Sequence, residues 1–275
     1  MGWHARLELR YRKERERTVC RDAHEGPLRV LASLYPEGAP VCHQVLVHPP
    51  AGIVGGDALL IGIALEAGAH ALVTSAGCSR FYRSAGETAL QSVRGRLERG
   101  ARLEWLPLAA IAYSGALAAN RLRFELDRGA EMIGWDLLAL GMPACGARFA
   151  SGRFVQEIEL PGVWLERGAI RAGDRLLASP LGWAGEPVLA TVWHARAEPL
   201  SRAVRDSLLD AAREASAASP LAARAGVTSP DPRVVVMRAL APQIEPAMAL
   251  ATHVWSRWRE AAWRLPACVP RVWAT

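Results

Sequence analysis

The run VCHQVLVHPPAGIVGGD, residues 41–57, puts a thiol, two imidazoles and a carboxylate close together in the chain. Thiolate and imidazole suit a late divalent ion such as Ni²⁺ or Zn²⁺. On a strand, Cys42 and His48 share a face and His43 points the other way, so at most two of the three converge. With Asp57 they form a candidate metal set that is weak and transient; the alternative for His48 is a structural role, capping carbonyls beside Pro49 and Pro50. The same stretch is rich in glycine and invites comparison with a phosphate loop. A Walker loop needs G-x-x-x-x-G-K-[ST], and Asp57 stands where its lysine belongs. A dinucleotide fingerprint opens a helix, whereas the alternating ALLIGIALE follows here. Both nucleotide readings are excluded. The segment reads instead as a strand-to-strand corner in which Gly55 and Gly56 allow a tight reversal and Asp57 caps exposed amides.

Other chemistry-bearing groups are sparse. Ser79 and Ser84 flank Arg80, Tyr82 and Arg83, but no G-x-S-x-G elbow is present and the histidines are dispersed. Glu157 and Glu159 sit two apart, hence on one face of a strand, which a glycosidase could use but a solvated face explains better. The five cysteines include no C-x-x-C pair. That pattern argues for free thiols rather than a disulfide framework or a structural zinc site. With no secretory signal and no long apolar run, a cytoplasmic protein without a membrane span is expected. The net charge is +6, and every basic residue but Lys13 is arginine. Charges of both signs are interspersed, which argues against nucleic acid and for a diffuse bias toward acidic partners.

The elements that must position these groups show one recurring signal. EAGA at 66–69 returns as ERGA at 98–101, DRGA at 127–130 and ERGA at 166–169, each preceded by a stretch of period-two alternation. Alternation on both sides of a glycine turn predicts hairpins. Their spacing predicts stacked β-hairpin layers, β-helix-like or sandwich-like, over an all-β body at residues 1–200. Residues 201–275 are expected to be helical and irregular, packed on that body as one structural unit. SRAVRDSLLDAAREASAA forms one amphipathic helix, with Val204, Leu208, Ala211 and Ala212 on its apolar side. RVVVMRAL is a short strand, and a second helix spans about Glu245 to Leu265, with Trp255, Trp258 and Trp263 serving either a docking surface or the core.

Five runs carry a resemblance to a known family: HEGPLRVLASLYPEG, HPPAGIVGGDALLIGIALEAGAHALVTSAGCSRFYRSAG, ARLEWLPLAAIAY, WDLLALGMPACGARF and the terminal PRVW. In this order and over nearly the whole chain they resemble the urease accessory protein UreD (UreH) family. The resemblance implies a mainly β fold of stacked layers with two helices, and a non-catalytic chaperone for nickel insertion into urease. It implies a complex with UreF-like and UreG-like accessory proteins on the urease apoprotein, the UreG-like partner being the GTPase. It further implies transient Ni²⁺, no tightly bound cofactor, and a water-filled passage as the route. Motif or partner contacts are then expected at Gly55, Gly56, Arg80, Tyr82, Arg83, Glu104, Trp105, Trp255 and Trp258. The chain departs from the family pattern at Ala51 (usually Gly), Arg80 (usually Lys), Leu108 and Ala109 (usually Gln-Glu), Met142 and Ala147. Readings from other classes are a β-helical carbohydrate-active enzyme and an interaction module unrelated to nickel.

Overall fold

The structure, a computed structural model, describes residues 2–274. Strands β1 (His4–Glu14) and β2 (Arg17–Glu25) pair as a hairpin, followed by the two-residue β3 (Arg29–Val30) and by β4 (Val41–Val47). A repeating course begins there: β5 (Ala58–Leu65), β6 (His70–Ser75), β7 (Ser79–Phe81), β8 (Ala89–Leu97), β9 (Arg102–Leu106), β10 (Ala110–Ala112), β11 (Ala116–Leu126), β12 (Glu131–Leu140) and β13 (Gly152–Leu160). Then come β14 (Trp164–Arg171), a one-turn α1 (Arg175–Ala178), β15 (Val188–Arg196), α2 (Arg202–Ala217), β16 (Ala225–Asp231), β17 (Val234–Ala241) and α3 (Ile244–Trp258).

Two sheets face one another. The open sheet runs β14-β13-β11-β8-β5-β1-β2, and the covered sheet runs β16-β17-β15-β12-β9-β6-β4-β3, with β7 and β10 attached beside it. Coils stack in parallel: β5 on β8 and β8 on β11 in the open sheet, β6 on β9 and β9 on β12 in the covered one. The result is a mainly β solenoid of stacked layers with two long C-terminal helices, the fold class expected from the sequence.

The pairing within each layer differs from the hairpins that the glycine turns imply. Gly68, Gly100 and Gly129 do take left-handed φ values of +70°, +68° and +74°. The strands on either side of each turn, however, belong to opposite sheets, so the turn is a corner of the solenoid. Period-two alternation reports which face is buried and says nothing about the hydrogen-bond partner. The fourth copy, ERGA at 166–169, makes no turn and lies inside β14.

The open sheet buries one face, as in β1 and β5, where buried and exposed positions alternate. The covered sheet is buried on both, and β12 accordingly reads EMIGWDLLAL with almost no break in burial. Its inner face meets the open sheet through Trp105, Leu138 and Trp193. Its outer face meets α2 and α3, where Leu208, Leu250, Val254 and Trp255 pack on Trp135, Val192 and Met237. Strands β16 and β17, from the C-terminal quarter, extend this same sheet.

The second long helix stops being α-helical at Trp258 and continues as a π turn over Arg259–Trp263, closed by Arg264 at φ +55°. Arg259 is completely buried and donates through Nη1 to Glu37 Oε1 at 3.1 Å, with a second contact from Nη2 to Oε2. His43 Nε2 lies 2.6 Å from the same Glu37 carboxylate. Burial alone would raise the Glu37 pKa, but hydrogen bonds from His43 and Arg259 and the Arg259 charge outweigh it and hold the carboxyl at about 2. Removing the charge leaves the Arg259 guanidinium in a dry site with only Glu104, 3.6 Å away. Glu37→Gln is therefore expected to lose about 3 kcal/mol in urea unfolding at pH 7. Because the folded-state pKa is depressed, the wild-type advantage holds above about pH 4.5 and shrinks as pH falls toward 2. A difference that stays constant over that range would contradict the clamp.

Candidate functional site

Alternation along the open sheet calls for apolar residues at each inward position, and one rung departs from it. Gln91 on β8, Asn120 on β11 and Gln156 on β13 are register partners. Across the core, Asp136 on β12 stands in a second polar rung with Thr191 on β15 and Arg238 on β17. Ser79 Oγ donates to Gln91 Oε1 at 3.1 Å, Gln91 Nε2 to Asn120 Oδ1 at 3.2 Å, and Asn120 Nδ2 to Asp136 Oδ1 at 2.9 Å. Every link passes its N–H or O–H toward the carboxylate, so the chain is polarised along one direction.

Asp136 is 7% exposed. Burial pushes its carboxyl up to about 6; the Gln156 and Asn120 amides oppose that rise and the charge of Glu166 adds to it. Gln156 lies against the carboxylate, yet neither its amide nitrogen nor its oxygen meets hydrogen-bond geometry. A buried amide with unmet donors and acceptor is costly to keep in a core. Beyond Asp136 stands Glu166, held by Arg238 Nε at 3.1 and 3.0 Å from its two oxygens, at the half-exposed edge formed by β14 and β17. At the Ser79 end the line meets a cavity of about 300 Å³, lined among others by His48, Cys78, Arg80, Gln91 and Trp105. A hydrogen-bonded polar lane thus runs through the core from this cavity to Asp136, with the Glu166–Arg238 pair beyond it on β14 and β17.

The residues singled out by sequence divide around this lane. His48 sits at the cavity, its pKa lowered by burial against the opposing charge of Asp57. Asp57 itself is a corner cap, its Oδ1 accepting from Trp3 N–H at 2.7 Å and its Oδ2 from Val54 N–H at 2.9 Å. Cys42 does not join them. It is buried in the core on β4, roughly 20 Å from His48 along an extended strand, with its thiol pushed up by burial. Sharing a strand face fixes direction and leaves distance open, which is why the spacing misled. Among the described residues no group of three His, Cys, Asp or Glu side chains is assembled to hold a metal.

Gly55 and Gly56 build the corner, where Gly56 takes φ +89° and a Cβ on Gly55 would lie 2.3 Å from Ser84 Oγ. Arg80 borders the cavity near Tyr82, whose ring meets Tyr113 at 4.7 Å. The stem of Arg83 covers Gly115. Glu104 and Trp105 point to opposite faces of β9. Trp105 faces the inter-sheet core and the cavity. Glu104, fully buried under the helices, lies 2.8 Å from His70 Nε2. Trp255 and Trp258 are not a docking surface: both are completely buried, donating to Glu104 Oε2 at 2.6 Å and to the Leu208 carbonyl at 2.8 Å. Their helix lays its aromatic area on the covered sheet, whose outer face it shares with α2. Glu157 and Glu159 lie on the solvent face of β13, where Arg123 bonds Glu159. Sequence reasoning passed over Gln91, Asn120, Asp136 and Gln156. The available signal was an amide or carboxylate at an inward position of ALQSV, AANRL, FVQEI and GWDLL.

The fold is a β-solenoid with parallel-stacked coils, crossed by one polarised line of hydrogen bonds. Residues 4–274 match the family described as UreD urease accessory protein. The chain is 55% identical to the urease accessory protein UreD of Leptothrix cholodnii, 58% to that of Albidiferax ferrireducens and 56% to that of Variovorax paradoxus, each over the whole of both chains. The chain belongs to the UreD urease accessory protein family. No helix among the described residues is long and apolar enough to cross a membrane.

Two measurements follow from the geometry. Ala51 takes φ +60° beside the corner. Ala51→Gly is expected to stabilise the protein by about 0.5–1 kcal/mol, because relief of left-handed strain exceeds the added unfolded-state entropy; a loss of stability in denaturant would contradict this. Asp136 binds its proton more tightly folded than unfolded, so its contribution falls as pH rises from about 4 to about 6 and is flat above. Asp136→Asn is therefore expected to gain roughly 2–3 kcal/mol at pH 7 and almost nothing at pH 4. Equal effects at both pH values would show that the carboxylate is not strained by burial.

Proposed function

We propose that this protein is a non-catalytic maturation chaperone that passes Ni²⁺ to the urease apoprotein. It acts in a cytoplasmic complex with a UreF-like partner and a UreG-like GTPase, so nucleotide hydrolysis belongs to the partner. The observation that carries this reading is the lane from the His48 cavity through Gln91, Asn120 and Asp136 to the Glu166 edge. A carrier must release its ion, so a four-ligand cage would defeat it. Successive weak sites, each favourable enough to enter and loose enough to leave, serve better. The lane offers that chemistry: hydroxyl and amide oxygens, then one carboxylate whose pKa near 6 leaves it ionisable at neutral pH. Metal binding there displaces a proton, so occupancy falls as the medium is acidified.

The test is co-expression of the urease genes with wild-type chain, with Asp136→Asn, or without the chain, followed by metal analysis of purified urease. Nickel per active site is expected to fall at least about tenfold without the chain and severalfold with Asp136→Asn, whose folded state is no weaker at pH 7. Equal nickel loading in the presence and absence of the chain would overturn the chaperone role. Full loading with Asp136→Asn would overturn the lane as its route.

A further inference from the structure

The excess positive charge is not spread diffusely over the surface. Outward positions of β8, β11, β13 and β14 carry seven arginines against three glutamates. Within the register Arg94 stands directly opposite Arg123, and Arg153 directly opposite Arg171. Like charges across a ladder destabilise the sheet, and a purely structural surface has no use for two such pairs. Among the described residues Arg94, Arg96, Arg121, Arg153 and Arg167 form no ion pair, although Glu157 is the register partner of both Arg121 and Arg167. Two troughs of about 640 and 490 Å³ run along this face, and Arg121 lines both. Their floor is low because small residues, Gly62, Ala64 and Ser92 in one, Gly168 and Ala169 in the other, leave the arginine forks standing above it.

We propose that the solvent face of the open sheet is a docking surface for an acidic protein surface, its arginines receiving carboxylates in bidentate pairs. Free guanidinium forks match carboxylate geometry, and their charge adds long-range steering to the encounter. Interspersed Glu125, Glu157 and Glu159 favour a folded partner of mixed charge over a continuous phosphate backbone. No outward position of these four strands carries an aromatic ring on which a base could stack. A second copy of this chain would bring the same positive face against itself. The surface lies outside the lane, so this docking role stands or falls independently of nickel transfer.

The test uses the full-length chain and three fluorescent probes: a peptide of alternating glutamate and serine, a neutral peptide of alternating glutamine and serine, and a short duplex DNA. Circular dichroism checks each variant's fold. The acidic peptide is expected to bind in preference to both other probes, to weaken steadily as salt is raised, and to lose at least about fivefold in affinity with Arg121→Glu/Arg153→Glu. The control Arg148→Glu/Arg175→Glu makes the same charge change away from the open sheet and is expected to lose less than about twofold. Equal losses in the two double variants would reduce the effect to net charge and overturn the surface. Tighter binding of DNA than of the acidic peptide would overturn the protein partner in favour of nucleic acid.

Discussion

Double-sided burial of one sheet is the constraint from which the rest of the structure follows. A sheet that faces core on both sides leaves no solvent for any charge that its strands carry. The open sheet covers the inner face, and only α2 and α3 are left to cover the outer one. That obligation explains why Trp255, Trp258 and Trp263 crowd one helix, whose end also carries the buried Arg259 onto Glu37. Indole N–H groups finish the task, Trp255 on Glu104 and Trp263 on Glu131 at 2.6 Å each.

The two faces of this sheet treat their carboxylates differently. Under the helices, Glu37, Glu104 and Glu131 are surrounded by His43, His70, His194 and Arg259, and the first and last are held below the usual carboxylate range despite burial. Glu37 and Glu131 are thereby kept as carboxylates that serve the fold. On the inner face Asp136 has amides for neighbours and no cation, so burial wins and its pKa rises to about 6. A carboxylate left near neutrality in a core is costly to keep there, and that cost is what the proposed route would put to use. Geometry, more than residue type, separates the two sets.

Much of the fold was legible in the sequence. Alternation named the strands, glycine placed the corners, and the pattern at Val204, Leu208, Ala211 and Ala212 marked α2. Partner choice was not legible, because burial periodicity is the same for a hairpin and for a corner between sheets. The corner at 48–57 was read correctly down to the amides that Asp57 caps, since that chemistry is local. The metal set was not: Cys42 and His48 share a face but lie a strand's length apart.

The sequence by itself determined the family, the solenoid's layers and the corner that caps itself, all set by patterns within a few residues or by a long contiguous motif. Only the tertiary structure decided that Gln91, Asn120 and Asp136 form one lane and that the tryptophans of α3 belong to the core. It alone gathered scattered arginines onto one face. The physical reason is common to all three. Register between coils that lie 30 or so residues apart in the chain brings these side chains together, and no local pattern of polarity encodes which rung will meet which.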